Sequence, residues 1–232
     1  MKKNKKIFAI LCTIVLQPLL CSAAAYEESI SLEWHVLTKA IKILDDKGNN
    51  IEANKVDAGG IGHSFVVVRN NTSSSINVGY YSLKPNSYVS VGLWTSSAIG
   101  SSSNSSSTGS INGVLYDYES AFYTYMERPV DELYVSKKIT KNTLNTVSNL
   151  LKEKNDDYNL MTYNCATFST HVWNEAMGTT FWTGWFRQPS NVVDDIKGNY
   201  KGEYVYNNYA LTRAYNFYHY NKKNNTMVSY NL

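Results

Sequence analysis

Cys165 and His63 are the two side chains in this chain of 232 residues whose types and local settings suit thiol chemistry. Cys165 opens a segment in which Phe168, Val172 and Ala176 recur at a spacing of four, which predicts a helix with one buried face. A thiol at a helix N-terminus meets the positive end of the helix dipole and unpaired backbone N–H groups, which stabilise the thiolate. The same N–H groups can receive the oxyanion that forms when a thiolate attacks a carbonyl carbon.

His63 stands where the glycine-rich stretch 59–62 enters the β-branched run 64–69, a setting that lets a side chain project at the edge of a sheet. A histidine within hydrogen-bond reach of the thiol would complete a minimal acyl-transfer site. The glycine stretch lacks the strand and helix that flank a nucleotide-binding loop. One cysteine and scattered histidines match no metal-ligand spacing, so we expect no metal and no cofactor.

The other three histidines suit the role of general base less well. His171 lies six residues after Cys165, so on a helix it points about 240° around the axis, away from the thiol. His35 lies in an N-terminal strand without a glycine-rich approach, and His219 lies in a tyrosine-rich tail. We therefore interpret all three as structural or surface residues.

The N-terminus has the pattern of an export signal. Lysines crowd residues 2–6, residues 7–20 are apolar, and residues 22–25 are the small residues that a signal peptidase accepts. The apolar stretch is shorter than the roughly 20 residues of a membrane-spanning helix. We expect residues 1–25 to be removed and the protein to be periplasmic or extracellular, with no stable membrane insertion. The other two cysteines lie in this segment, which leaves Cys165 as a lone thiol in a compartment where thiols normally pair.

Composition and charge narrow the function classes. Hydrophobic residues make up 43% of the chain and charged residues 18%, which is typical of a globular protein. Four of the 22 basic residues lie in the export segment, which contains no acidic residue, so 18 basic residues remain against 19 acidic ones. With a net charge near zero, the protein lacks the excess of positive charge that binds nucleic acid or anionic lipid, and we expect neither as a partner.

The elements that must position Cys165 and His63 follow from periodicity. We predict one domain over residues 26–232, interrupted by a serine-rich surface loop at 95–110. Apart from the Cys165 segment, which should end at Gly178, we expect a helix capped by Thr140 and ending near Lys154. Strands are predicted at 29–44, 63–69, 76–81, 88–94, 114–118 and 132–136 and within the tail 202–230, with 76–81 pairing directly with the His63 strand.

The segment Gly62-His63-Ser64-Phe65-Val66, followed much later by Asn164-Cys165-x-x-Phe168, resembles the circularly permuted NlpC/P60 group of papain-like thiol hydrolases, in its lecithin:retinol acyltransferase-like branch. In unpermuted members the cysteine helix precedes the histidine strand. The resemblance spans roughly residues 59–178. It implies an α+β fold in which an antiparallel sheet packs against the cysteine-bearing helix. It also implies that Cys165 is the nucleophile and His63 the general base.

The group also has a third polar residue, which orients the imidazole from the neighbouring strand. With a turn centred near residues 72–73, Ser82 lies opposite His63, and a slipped register favours Asn77. No His, Asp or Glu occurs between Ser64 and Tyr116, so the sequence predicts an uncharged orienting residue, which would stabilise an imidazolium less than a carboxylate does.

An aromatic run, residues 181–187, follows the cysteine helix and contains Trp182, Trp185 and Arg187. It can wall a substrate groove or plug the core, and the core is the more usual place for aromatic side chains. In the groove interpretation, Arg187 pairs with a carboxylate of the substrate.

Three interpretations follow. The first is an exported cysteine hydrolase that cleaves an amide bond in peptidoglycan stem peptides, through the thiolate of Cys165 and the base His63. The second is a catalytically inactive papain-like domain that binds cell-wall peptide or a partner protein. The third is a carbohydrate-binding or surface protein whose lone cysteine is only buried. Thiol reactivity distinguishes the first from the other two, because binding requires no thiolate.

Overall fold

The structure, a computed structural model, describes residues 28–37, 43–44, 50–51, 62–95, 113–126, 132–156, 158–159, 161–206, 211 and 214–231. The predicted export signal at 1–25, the serine-rich loop beyond Thr95 and the first three residues of the glycine stretch lie outside these ranges. Among the described residues, no helix has the length and hydrophobicity needed to cross a bilayer.

The fold is α+β, as predicted, and is organised around an eight-stranded antiparallel sheet. Across the sheet the strands are β10 (Val205–Tyr206), β9 (Glu132–Ile139), β1 (Ser29–Leu37), β4 (His63–Asn71), β7 (Ser87–Trp94), β8 (Gly113–Tyr116), β11 (Asn216–Asn221) and β12 (Thr226–Asn231). Two smaller pairs are β2 (Ile43–Leu44) with β3 (Asn50–Ile51), and β5 (Ile76–Val78) with β6 (Tyr81–Leu83). The β11–β12 hairpin confirms the strands predicted in the tail.

Helices cover both faces of the sheet. They are α1 (Tyr118–Met126), α2 (Lys141–Glu153), α3 (Cys165–Met177) and α4 (Pro189–Asn199). Side chains alternate between the two faces of a strand, so one set of strand residues, including Trp34 and Val66, forms the main core with α2, α3 and α4. Strand residues on the opposite face pack against α1, where Tyr118 contacts Trp94 and Phe217. The helix that carries Cys165 therefore packs on the antiparallel sheet, as predicted.

The ends of α2 and α3 confirm the caps predicted from the sequence. Thr140 accepts the backbone N–H of Thr143 at 3.1 Å at the start of α2, and this helix is capped at Lys154. Gly178 ends α3 in the left-handed conformation with φ of 66°, which glycine adopts at little cost.

The strand at 76–81 does not pair with the His63 strand, which corrects that prediction. Residues 76–83 form a hairpin of their own, and the partners of β4 are β1 and β7. The buried side chain of Asn70 redirects the chain: its amide donates to the carbonyls of Ser74 and Lys84, both at 2.9 Å, and its oxygen accepts the N–H of Thr72 at 3.1 Å. The chain therefore turns out of the main sheet directly after β4.

Helix α1 was not predicted, because its aromatic residues continue the pattern of the strand before it. That strand ends at Tyr116, and Asp117 adopts a left-handed φ of 61°. The N–H of Asp117 donates to the carbonyl of Ser90 at 2.8 Å, and the chain then starts α1. Helix α4 was also missed, although Val192 and Ile196 have helical spacing after a proline at the first helical turn.

We expect Asn70→Ala to lower the free energy of unfolding by about 2–3 kcal/mol, because it leaves buried carbonyl groups without donors. Urea denaturation followed by circular dichroism measures this loss. Asn77→Ala is the matched control, since the Asn77 side chain is exposed on the small hairpin, and it should change stability by less than about 0.5 kcal/mol. Equal losses in both variants would contradict the structural role of Asn70.

Candidate active site

Cys165 is the first residue of α3, as predicted, and the residue as a whole is partly exposed. The side chain of Asn164 caps the helix: its oxygen accepts the N–H groups of Ala166 at 3.0 Å and Thr167 at 3.1 Å. Beyond Cys165, the first turn of the helix is buried against the sheet. The thiol therefore lies at the positive end of a firmly capped helix.

His63 is the first residue of β4 and is only 5% exposed. It follows Gly62, whose φ is 85°; a side chain at that position would meet the carbonyl oxygen of Leu37 at 2.2 Å. Glycine therefore lets the chain enter the sheet close against the end of β1. The His63 side chain interacts with Cys165 closely enough for each to shift the pKa of the other, and its Nε2 lies 2.9 Å from Oε1 of Glu119. Because the carboxylate engages Nε2, Nδ1 is the ring nitrogen available to the thiol.

Glu119, in the first turn of α1, is the residue that orients His63, and its side chain is 2% exposed. The indole N–H of Trp94 donates to the same oxygen, Oε1, at 2.7 Å, and the Trp94 ring lies 4.0 Å from the imidazole, centroid to centroid. Gly92 makes room for the Glu119 carboxylate, because a Cβ at position 92 would lie 1.9 Å from Oε1 of Glu119.

Asn77 and Ser82, the two predicted orienting residues, are not part of this site. They pair with each other across the small hairpin, and both are exposed. Glu119 was missed because it lies just beyond the interval 64–116, which contains no acidic residue, and on a helix instead of a strand. A glycine inside a predicted strand, Gly92, was the signal that another group approaches the backbone there.

The electrostatics of the site favour a thiolate and an imidazolium. Burial by itself raises the pKa of the Cys165 thiol. The charge of His63, with hydrogen bonds from His63 and from the backbone at Ser64 and Ala166, lowers this pKa by more, so that the net shift is downward. Burial alone would lower the pKa of His63, but the charge and hydrogen bond of Cys165 and those of Glu119 raise it to about 9. Each partner therefore stabilises the charged form of the other.

Comparisons with protein-family models, with curated proteins and with solved structures give no match for this chain.

A buried network of hydroxyl groups holds α3 against the strand that carries His63. The Oγ atoms of Ser64 and Ser169 lie 2.7 Å apart. Ser169 also accepts the indole N–H of Trp34 at 3.1 Å, and Ser64 donates to the carbonyl of His35 at 2.9 Å. These bonds fix the distance between helix and sheet beside the thiol and the imidazole.

The aromatic run after α3 divides between the core and the surface. Phe181 packs against the main core, as predicted, whereas Trp182 and Trp185 are 57% and 66% exposed, so the core interpretation is wrong for these two. Arg187 is buried: its Nε donates to Thr170 Oγ1 at 2.7 Å, and its guanidinium is paired with Asp195. The prediction that Arg187 binds a substrate carboxylate is wrong, because its charge is already paired inside the protein.

The remaining histidines lie apart from the thiol. His171 contacts the hydroxyl of Tyr163 at 3.2 Å, and buried His35 pairs with Glu33 at 3.0 Å. His219 lies 3.1 Å from the carbonyl oxygen of Val114. Within the described ranges, no cluster of three or more His, Cys, Asp or Glu residues could hold a metal ion.

Glu119→Gln should weaken the thiolate–imidazolium pair, because an amide does not stabilise an imidazolium as a carboxylate does. We expect iodoacetamide to alkylate Cys165 roughly 3- to 10-fold more slowly at about pH 6, with the alkylation profile displaced to higher pH. Ser82→Ala is the control and should leave the profile unchanged. Coinciding profiles for Glu119→Gln and the unsubstituted protein would contradict the assignment of Glu119.

Gly92→Ala should displace the Glu119 carboxylate, because the added Cβ occupies its place. We expect the alkylation profile to move as in Glu119→Gln and the free energy of unfolding to fall by about 1–3 kcal/mol. Gly198→Ala in α4 has open space around the new Cβ and should be neutral or slightly stabilising. If Gly92→Ala leaves both the profile and the stability unchanged, the close approach of Glu119 is wrong.

Proposed function

We propose that this protein is a cysteine hydrolase of the circularly permuted papain-like type, which cleaves an amide bond. The observation that carries the proposal is the series Cys165–His63–Glu119, in which His63 interacts with the thiol at a helix N-terminus and is hydrogen bonded to a buried carboxylate. A nucleophile, a base and a group that orients the base are the parts that acyl transfer requires.

In the first half-reaction, the Cys165 thiolate attacks the carbonyl carbon of the substrate, and the π electrons of the carbonyl move to its oxygen. The N–H groups of Ala166 and Thr167 are already engaged by Asn164, so we expect the N–H of Cys165 itself to meet the oxyanion. The imidazolium of His63 then donates its proton to the departing nitrogen, the C–N bond breaks, and a thioester remains.

In the second half-reaction, neutral His63 takes a proton from water, which attacks the thioester. The C–S bond breaks, the thiolate returns, and the acyl group leaves as a carboxylic acid. Glu119 is a positioning residue in both steps: its carboxylate holds the imidazole in one orientation and stabilises its protonated form.

The order of the parts along the chain supports the permuted papain-like assignment. The histidine strand β4 comes before the cysteine helix α3, and this helix packs on an antiparallel sheet that contains the histidine strand. The third residue comes from α1, between these two elements in sequence.

Peptidoglycan stem peptides are the proposed substrate. The export pattern at residues 1–25 favours a substrate outside the cytoplasm, and the cell-wall peptide is the amide-rich polymer found there in bacteria. The lowered pKa of Cys165 favours hydrolysis over the two binding interpretations, because a binding protein gains nothing from a thiolate.

Cys165→Ala should reduce hydrolysis of purified peptidoglycan by roughly a thousandfold or more, and His63→Ala by roughly 10²- to 10⁴-fold. Mass spectrometry of the released fragments measures the rate and identifies the bond that is cut. Asn77→Ala is the control and should retain full activity. Hydrolysis that persists in Cys165→Ala, or its absence in the unsubstituted protein across peptidoglycans of different stem composition, would contradict the proposal.

A further inference from the structure

A group of exposed aromatic and thioether side chains lies on two segments that are hydrogen bonded to each other, one of them also to the residue before Cys165. This aromatic patch consists of Met161, Trp182, Trp185 and Phe186, and the last three are each more than half exposed. Large apolar side chains that cluster on a surface without burying one another commonly mark a binding site.

Polar side chains anchor the aromatic patch at both ends. At one end, the side chain of Asn174 donates to the carbonyl of Phe181 at 2.8 Å and accepts the N–H of Phe181 at 3.0 Å. At the other end, the guanidinium of Arg187 is held by Thr170 and Asp195. The segment between these anchors is therefore fixed to α3 and α4.

The aromatic patch is also tied to the residue that precedes the nucleophile. Asn164, whose side-chain oxygen caps α3, uses its side-chain nitrogen to donate to the carbonyl of Arg187 at 2.9 Å. The N–H of Phe186 donates to the carbonyl of Met161 at 3.0 Å. These hydrogen bonds connect the segment that carries the aromatic patch to Asn164, the residue directly before Cys165.

Two features of the backbone indicate that the fold itself imposes the exposed positions of these rings. Phe186 adopts a left-handed φ of 58°, which is unfavourable for a bulky residue and persists only where surrounding contacts impose it. A Cβ at Gly184 would lie 2.4 Å from the Trp182 ring, so glycine lets this indole lie flat against the backbone. Strain of this kind concentrates at functional sites.

We propose that the aromatic patch binds a pyranose ring of the glycan to which the cleaved peptide is attached. Indole and phenyl faces stack on the C–H faces of sugar rings, and an indole N–H can donate to a sugar hydroxyl. No residue of the patch is charged, and the neighbouring arginine is paired with Asp195, so the surface suits a neutral ligand. A membrane-binding surface would add lysines and arginines for anionic headgroups, and the patch itself has none.

This inference rests on the proposed function, because it requires that the cleaved peptide is attached to a glycan. It predicts that the protein discriminates between a peptide that bears sugars and the same peptide without them. The sugar would dock on the aromatic patch while the amide lies at Cys165.

The test measures binding by isothermal titration calorimetry in the Cys165→Ala background, which prevents turnover. The probes are a disaccharide-bearing stem peptide, the same stem peptide without sugars, and an N-acetylglucosamine oligomer. We expect the sugar-bearing peptide to bind roughly tenfold more tightly than the bare peptide, and Trp185→Ala to abolish this difference. Trp185→Tyr should restore much of it, because a stacking ring is retained.

Tyr215→Ala is the matched control, since Tyr215 is an exposed aromatic residue outside the patch. It should leave all three affinities unchanged, and circular dichroism establishes that each variant is folded. Equal affinities for the two peptides, or a difference that survives in Trp182→Ala/Trp185→Ala, would overturn the inference. Sedimentation with phosphatidylglycerol vesicles that requires Trp185, without any sugar effect, would overturn it in favour of a membrane surface.

The two proposals can fail separately. If the unsubstituted protein hydrolyses nothing but binds sugar through Trp185, the hydrolase proposal fails and the glycan site stands. If the protein hydrolyses bare and sugar-bearing peptides with the same kcat/KM, and Trp185→Ala changes neither value, the hydrolase proposal stands and the glycan site fails.

Discussion

The buried hydrogen bond between the hydroxyl groups of Ser64 and Ser169 sets how helix α3 lies on strand β4. Both side chains are small, which allows the helix backbone to approach the sheet closely. Ser64 directly follows His63, and Ser169 lies one turn beyond Cys165. The contact that joins helix to sheet therefore also sets the separation of imidazole and thiol, and the remaining parts of the site are arranged around it.

The site forms where two layers of the fold meet at the end of a strand. Helix α3 approaches from one face of the sheet with Cys165, and α1 approaches from the other face with Glu119. His63 joins them. Within the part of the chain that the structure describes, the second carboxylate oxygen of Glu119 is buried without a hydrogen-bond partner, so the imidazolium is the charge that offsets burial of the carboxylate.

Asn164 connects the start of α3 to the aromatic segment, because its side chain takes part in two structures at once. Its oxygen caps the helix that presents the thiol, and its nitrogen holds the backbone of the aromatic segment. Because one side chain is hydrogen bonded to both, the start of α3 and the aromatic segment have little freedom to move relative to each other. The positions of the Cys165 thiol and of the aromatic segment are therefore coupled through one residue.

The sequence by itself determined the features that depend on local hydrogen bonds and periodicity. The start of α3 at Cys165, its end at Gly178 and the strand that begins at His63 all follow from patterns a few residues long. The tertiary structure decided what depends on distant pairing. Glu119 reaches His63 across 56 positions, and no local pattern encodes which helix crosses which strand.

The same reason explains two further corrections. Pairing of the predicted strand 76–81 with β4 was the simplest local expectation, but the side-chain bonds of Asn70 turn the chain away from the sheet, and β7 takes the adjacent position. Arg187 has the charge to bind a substrate, yet Asp195 on α4 already neutralises it. Residue type and local spacing thus predicted that Cys165 and His63 come together, whereas the choice among candidate partners depended on how strands and helices pack in three dimensions.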